Sequence, residues 1–128
     1  MIFLAGATSR ADTGGATAPP PATGGSGAAT ADLAAKAALA PVEVATWYGP
    51  GFFGRRTACG QVLRRSTVGV AHRRLPCGTQ VTVYYRGRVA TVPVIDRGPY
   101  SRRTDWDLTQ ATARQLGIAS TSRVRVLR

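Results

Sequence analysis

The chain has 128 residues, which is enough for one domain of ordinary size and too few for two. Its 17 Lys and Arg against 6 Asp and Glu give a net charge of +11, and the whole excess falls in residues 41–128. Because no run of 18 apolar residues occurs, a membrane-spanning helix is not expected. Two cysteines and one histidine are too few for a structural zinc site, so we expect no metal and no cofactor.

Residues 1–40 form the first segment and are poor in apolar side chains. In residues 11–40, 25 of 30 positions are Ala, Gly, Pro, Thr or Ser, which predicts a disordered tether over residues 1–40. Alanine propensity allows a weak helical turn near residues 31–40. Residues 1–7 are apolar without a preceding basic residue, and we interpret them as either the remnant of an export signal or the end of a linker.

Residues 41–128 have the composition of a folded β domain, and eight of the nine aromatic residues lie between positions 47 and 106. Turn signals and β-branched runs predict strands at residues 42–48, 66–71, 81–85, 88–95 and 122–127. Arg86-Gly87 predicts a two-residue hairpin, and Pro93 indicates an edge, bulge or crossing position. Helical spacing predicts one helix over residues 107–116, capped by Asp107 or Thr109 and ended by Gly117. About six short strands and one helix indicate a mainly β fold, a small β-barrel.

Cys59 and Cys77 are the only cysteines in the chain. In a small domain with the composition of a secreted protein, two cysteines usually pair, and we expect a disulfide. Two buried free thiols remain an alternative. A nucleophilic cysteine working with His72 is a further alternative, which requires a free thiolate.

Three titratable residues are candidates for chemistry. His72 is the only histidine and titrates near neutrality, although a lone histidine is more often a structural hydrogen-bonding residue. Asp96 is the last residue of a predicted strand and precedes a Gly-Pro turn. This position favours one of two roles for its carboxylate, either facing a cleft or capping the turn. Asp107 stands at the predicted helix start and is either a second carboxylate of the site or a plain N-cap. A pair of carboxylates is what glycoside hydrolysis ordinarily requires, and a transglycosylase needs only one.

Aromatic and arginine residues surround these acids in the sequence. Aromatic rings beside arginines suit stacking against sugar rings, with core packing as the alternative for some of them. Binding to nucleic acid is one interpretation of the arginine pairs at 55/56, 64/65, 73/74 and 102/103. Because no DNA-binding motif accompanies these pairs, we expect no specific nucleic-acid partner. Attraction to an anionic cell-wall surface would use the same positive field.

From Ala45 to Gly117 the sequence resembles the double-psi β-barrel of the rare lipoprotein A family, with barwin, expansins and family-45 endoglucanases similar at the level of the barrel. Five motifs carry the resemblance in the family's order: Ala45-Thr46-Trp47-Tyr48-Gly49, Gly54-Arg55-Arg56-Thr57-Ala58-Cys59-Gly60, Ala71-His72-Arg73-Arg74-Leu75-Pro76-Cys77-Gly78-Thr79, Val94-Ile95-Asp96-Arg97-Gly98-Pro99-Tyr100 and Asp107-Leu108-Thr109. The resemblance implies a six-stranded double-psi barrel with one short helix over residues 41–128.

The resemblance also implies site residues. Lytic members of the family carry a glutamate after a Thr-Ala-x-Gly turn, a histidine in Ala-His-x-x-Leu-Pro and an aspartate in Asp-Arg-Gly-Pro. His72 and Asp96 match the last two positions, Asp107 matches an aspartate that expansin-like barrels place in their groove, and Gln61 stands in place of the glutamate. A glutamine side chain forms hydrogen bonds with a sugar but is neither a useful proton donor nor a negative charge.

The function implied is that of an exported, wall-facing protein, a monomer, that cleaves peptidoglycan glycan strands without water between N-acetylmuramic acid and N-acetylglucosamine and leaves a 1,6-anhydro end. We expect Asp96 to act as acid and base, His72 to orient it or polarise the sugar, and Asp107 to assist. The expected substrate-binding residues are Gln61, Tyr48, Phe52, Arg97, Tyr100 and Trp106. The alternative is a non-catalytic module that binds the wall or a polysaccharide, or a barwin-like protease inhibitor.

Overall fold

The computed structural model describes residues 31–128, so the expected export-signal remnant at residues 1–7 and most of the expected tether at residues 1–40 lie outside the described residues. The described part opens with helix α1, residues 31–38, where the sequence allowed a helical turn. Ala40, just after it, is buried, and its carbonyl accepts a hydrogen bond from Nη1 of Arg125 at 2.5 Å. This contact fixes the position at which the chain enters the first strand.

Six strands form a closed barrel in the order β1-β5-β2-β4-β3-β6. Two of the pairings, β1 with β5 and β2 with β4, are parallel, and the other four are antiparallel. This closed barrel confirms the predicted fold class, with two short helices among residues 31–128 rather than the single helix expected. The strands are β1 Val42–Tyr48, β2 Val70–Ala71, β3 Gln80–Tyr85, β4 Arg88–Asp96, β5 Trp106–Thr109 and β6 Ser122–Leu127, and helix α2 is Gln110–Leu116.

Helix α2 begins three residues later than the sequence predicted. Trp106–Thr109 is the strand β5, because it pairs with β1 on one side and with β2 on the other, and pairing on two sides outweighs the helical spacing of its residues. Thr109 is therefore the N-cap, with Oγ1 accepting from the backbone N–H of Thr112 at 3.3 Å. Gly117 ends the helix with φ 76°, as predicted. The predicted second strand at 66–71 is shortened to Val70–Ala71.

The barrel interior is filled by valines, alanines and leucines from every strand, because side chains alternate between the two faces of a strand. Trp106 is the largest of these side chains and is completely buried. The hairpin between β3 and β4 has its two-residue turn at Arg86-Gly87, as predicted, with both residues at positive φ (48° and 82°). Across residues 31–128, none of the helices has the length and apolar character needed to cross a membrane.

Candidate functional site

Two carboxylates lie in one row that runs across four neighbouring strands. Thr46 on β1 pairs with Asp107 on β5, Asp107 pairs with Ala71 on β2, and Ala71 pairs with Asp96 at the end of β4. The two aspartates are therefore two strand spacings apart in the backbone, about 10 Å. Because residues paired in this way point to the same face of a sheet, both carboxylates face one cleft, and the small Ala71 between them leaves its floor open.

A β-bulge brings Asp96 into this row. Val70 pairs with Val94, but the next residue, Ala71, pairs with Asp96, so Ile95 is an extra residue in β4. The shift follows Pro93, where the sequence indicated an irregularity. Ile95 is buried beside Gly69, where a Cβ atom would lie 2.9 Å from the Ile95 side chain. Glycine at position 69 therefore makes room for the bulge that orients Asp96.

Asp96 is held by three hydrogen-bond donors. Its Oδ1 accepts from the backbone N–H of Ala58 at 2.8 Å and from that of Arg97 at 2.9 Å. Its Oδ2 accepts from the Tyr48 hydroxyl at 3.2 Å. Both oxygens act as acceptors, which is the role of a carboxylate. The carboxylate faces the cleft. Its bonds to the backbone come from Ala58 and Arg97 and not from Gly98 or Tyr100, the amides expected for a residue that caps the turn.

Asp107 is partly buried in β5. Its Oδ1 accepts a hydrogen bond from Thr46 Oγ1 at 2.6 Å. Burial raises the pKa of this carboxyl, the Thr46 hydroxyl lowers it, and the nearby charge of Asp96 raises it, with a net upward shift. Burial is the main cause that favours the protonated form of Asp107 relative to an exposed aspartate. Asp107 lies within a strand, so it is not the helix N-cap.

Tyr48 lies between the two acids and the aromatic side of the cleft. Burial raises the pKa of its hydroxyl, and the negative charges of Asp96 and Asp107 raise it further. The hydroxyl therefore keeps its proton and donates it to the hydrogen bond with Asp96. The ring lies edge-on to Phe52, with centroids 6.0 Å apart.

The cleft has a volume of about 440 Å³ and is lined by both acids, Tyr48, Phe52, Arg97 and Tyr100 among others. Phe52 is 49% exposed and Tyr100 is 84% exposed, so both rings are available for contact. A second cleft of about 220 Å³ shares Tyr48, Phe52 and Asp96 with the first. The two clefts together make up the groove in which Asp96 lies.

Arg97 holds the loop beside the groove. Its Nη1 donates to the carbonyls of His72 at 3.2 Å and Leu75 at 2.7 Å, so its guanidinium is directed to backbone oxygens. Cys59 and Cys77 form the predicted disulfide, with Cα atoms 5.7 Å apart. The bridge joins the loop that carries the Ala58 donor to the loop that carries Leu75, and so connects the two sides of the Asp96 turn.

His72 does not occupy the groove with Asp96. It follows Ala71 in the chain, and its imidazole lies over Trp106 with ring centroids 4.5 Å apart. Its Nδ1 accepts the backbone N–H groups of Arg74 and Leu75 at 3.1 and 3.0 Å. Burial lowers the pKa of His72, with further lowering by Arg128 and partial compensation by Glu43. The imidazole makes no hydrogen bond with Asp96, although the His72 backbone N–H donates to the Asp96 carbonyl at 3.2 Å. The expected role of His72 in the reaction therefore stays a prediction.

Two other predicted residues lie outside the groove. Trp106 is completely buried below His72, so its ring is core and cannot stack on a sugar; the alternation of β5 turns it inward while Asp107 turns outward. Gln61 is exposed and is not among the residues that line either cleft. Its Oε1 accepts from Thr57 Oγ1 at 3.0 Å, and Thr57 lines the smaller cleft.

Sequence reasoning missed two members of the row, Thr46 and Ala71. Thr46 is the hydrogen-bond donor to Asp107, and Ala71 is the spacer between the acids. Both lie inside motifs quoted for the family resemblance. The alternation of Thr46 and Tyr48 along β1 was the available signal, since residues two apart share a face of a strand.

This closed barrel, with two carboxylates facing one groove across β5, β2 and β4, defines a double-psi β-barrel with an acidic site. Residues 40–127 match the family described as lytic transglycolase, and the chain belongs to that family. A "Probable endolytic peptidoglycan transglycosylase RlpA" of Synechocystis is 42% identical over 93 residues, which are 71% of this chain and 29% of that protein. The endolytic peptidoglycan transglycosylase RlpA of Campylobacter jejuni is 38% identical over 59% of this chain and 28% of that protein.

A solved structure is also similar. The Streptomyces papain inhibitor superposes with a TM-score of 0.52 at 29% identity, over 69% of this chain and 94% of the inhibitor. The chain thus spans less than a third of the length of the two transglycosylases and nearly the whole length of the inhibitor.

Proposed function

We propose that this chain is a lytic transglycosylase domain that cleaves peptidoglycan glycan strands, with Asp96 and Asp107 as the reacting carboxyls. The observation that carries the proposal is the row in which both aspartates face one groove across Ala71. The family match and the names of the two transglycosylases support the choice of substrate. Since peptidoglycan lies outside the cytoplasm, the proposal includes an exported, wall-facing protein that works as a monomer.

The proposed reaction divides acid and base between the two carboxyls. Burial raises the pKa of Asp107, and the proposal assigns to this carboxyl the proton that passes to the glycosidic oxygen as the bond from C1 to that oxygen breaks. The 6-hydroxyl of the same sugar forms a bond to C1 and loses its proton to Asp96. No water enters the product, one strand ends in a 1,6-anhydro ring, and one proton is taken up for each proton released.

This division differs from the expectation that Asp96 acts first as acid and then as base. Asp96 accepts three hydrogen bonds and donates none, which suits a group that begins the reaction as a carboxylate. Its negative charge also faces the positive charge that builds on the sugar ring in the transition state. The exposed rings of Phe52 and Tyr100 offer apolar faces for sugars on either side of the bond.

The test is the release of soluble fragments from purified sacculi, followed by mass spectrometry of their ends. The proposal predicts 1,6-anhydro ends, each lighter by one water than a hydrolysed end. Asp96→Asn and Asp107→Asn should each lower the rate by roughly 10²–10⁴-fold, the usual contribution of a general acid or base. Asp105→Asn is the matched control, because Asp105 accepts a backbone N–H from Val44 and lies outside the groove.

The outcomes separate the mechanisms. If Asp107→Asn keeps its activity while Asp96→Asn is inactive, Asp96 is the single acid and base. If native protein releases nothing and still binds sacculi, the domain is a wall-binding module and the proposed reaction is wrong.

A second candidate function is inhibition of a papain-like cysteine protease, favoured by the resemblance to the papain inhibitor over nearly its whole length. Titration of papain activity with this protein tests it. Inhibition that persists in Asp96→Asn would show that a surface other than the acidic groove binds the protease.

A further inference from the structure

A separate groove on the barrel shares no residue with the acidic site. It has a volume of about 660 Å³ and runs along the outer surface where β6 pairs with β3 and β1. It shares no lining residue with the two clefts that contain Asp96. Any ligand of this groove is therefore independent of the proposed glycan cleavage.

Three arginines line the groove, namely Arg86, Arg123 and Arg125, and none of the described residues lining it is acidic. Neither of the two ion pairs found among residues 31–128 includes one of these arginines. Arg125 is fixed by its hydrogen bond to the Ala40 carbonyl, a neutral group, so its charge is not compensated there. The groove therefore concentrates positive charge in a concave surface, where it acts more strongly on an anion than on a flat surface.

Arg86 is held in the groove by an unusual backbone. It has φ 48° in a turn whose first position is normally filled by Asn, Asp or Gly, since an arginine seldom adopts the left-handed conformation. Its guanidinium carbon lies 5.3 Å from the centroid of the Tyr85 ring, within the range of a cation–π contact. An arginine at positive φ with its guanidinium over a ring is a backbone outlier of the kind that suggests function.

The remaining lining supplies hydroxyl groups. Tyr84 and Tyr85 lie on β3, with Tyr84 paired to Arg125 across the sheet, and Ser120, Thr121 and Ser122 form the far side. Guanidinium groups bind phosphate oxygens in pairs, and hydroxyl groups exchange hydrogen bonds with other hydroxyls. We propose that this groove binds a polyol phosphate polymer, with the arginines on its phosphates and the tyrosine, serine and threonine hydroxyls on its polyol groups.

The experiment measures binding of a glycerol phosphate oligomer to the full chain by calorimetry at about 0.15 M salt, where exposed charges are screened beyond roughly 8 Å. The double variant Arg86→Gln, Arg123→Gln should bind at least tenfold more weakly. The matched control is Arg64→Gln, Arg114→Gln, which loses the same two charges from exposed positions outside the groove and should change affinity less than twofold. Asp96→Asn should bind as the native protein does.

A second measurement on the native protein keeps the proposal testable if a variant folds poorly. Titration with the oligomer should shift the backbone amide resonances of residues 84–86 and 120–125, and inorganic phosphate should shift the same set more weakly. Equal loss of affinity in both double variants would mean that net charge alone attracts the polymer, and the proposal would be wrong. It would also be overturned if a neutral polyol binds equally well, or if a DNA duplex binds more tightly and shifts the same resonances.

Discussion

Removal of the Cys59–Cys77 disulfide should both destabilise the barrel and loosen the Asp96 site. The two cysteines are 18 residues apart, and closing a loop of that length lowers the entropy of the unfolded chain by an amount worth about 3 kcal/mol in the chain-entropy model. For a domain of this size each kcal/mol corresponds to roughly 4–8 °C in Tm, so the double variant Cys59→Ser, Cys77→Ser should melt roughly 12–24 °C lower.

The local effect follows from the contacts on either side of the bridge. The N–H of Cys59 donates to the Ile95 carbonyl at 3.2 Å, and the N–H of Gly78 donates to the Val94 carbonyl at 2.8 Å. Both loops therefore hold the last residues of β4, and the Ala58 N–H reaches Asp96 from one of them. Without the bridge we expect faster hydrogen exchange at the Ala58 amide and slower glycan cleavage.

The assay is urea unfolding of native protein with and without reductant, beside the serine variant, which should not respond to reductant. A change in unfolding free energy below about 1 kcal/mol would refute the entropic reasoning. Unchanged protection of the Ala58 amide in the variant would refute the link between the bridge and Asp96.

Three further predictions concern titration and position 61. Because burial and Arg128 lower the pKa of His72, its imidazole should titrate below 6.5 by NMR. The unfolded chain then binds a proton more readily than the folded one, so stability should fall as the pH drops from 6.5 through the folded-state pKa. The variant His72→Gln should not show this loss of stability. Because burial raises the pKa of Asp107, ionisation of this carboxyl destabilises the folded state. The variant Asp107→Asn should therefore have a higher Tm than the native protein at neutral pH, and this gain should vanish below pH 3.8. A difference in Tm that does not depend on pH would contradict the prediction. Gln61→Glu should raise glycan cleavage at least about tenfold if a carboxylate there assists the reaction, whereas an effect equal to that of Gln61→Ala would exclude a role for the charge.

Local patterns in the sequence were sufficient for most of the fold. Turn signals and β-branched runs located β1, β3, β4 and β6 to within one residue, and Arg86-Gly87 located the hairpin. The two cysteines of a small domain predicted the disulfide, and the number of short strands predicted a small barrel. These features depend on residues close in sequence or on a shared pattern, so one chain was enough to predict them.

The sequence was not sufficient to predict the secondary structure where pairing between distant strands decides it. Trp106–Thr109 has helical spacing and is a strand, because β1 and β2 provide partners that lie more than 30 residues away in the chain. Long-range strand pairing also decided which residues lie together in the site. Asp107 and Asp96 share a row because of strand order and the bulge at Ile95. Pro93 indicated an irregularity in this strand, but the strand order cannot be predicted from local spacing.

Orientation likewise required the tertiary structure. His72 and Asp96 belong to motifs that suggest a common site, yet the imidazole lies over Trp106 while the carboxylate faces the groove. The sequence gives the residue types and their order, and from these we predicted which residues take part in the reaction. The register of the closed barrel decided which of the predicted site residues lie together. The face to which a side chain points depends on its position in the strand, and its neighbours depend on which strands pair.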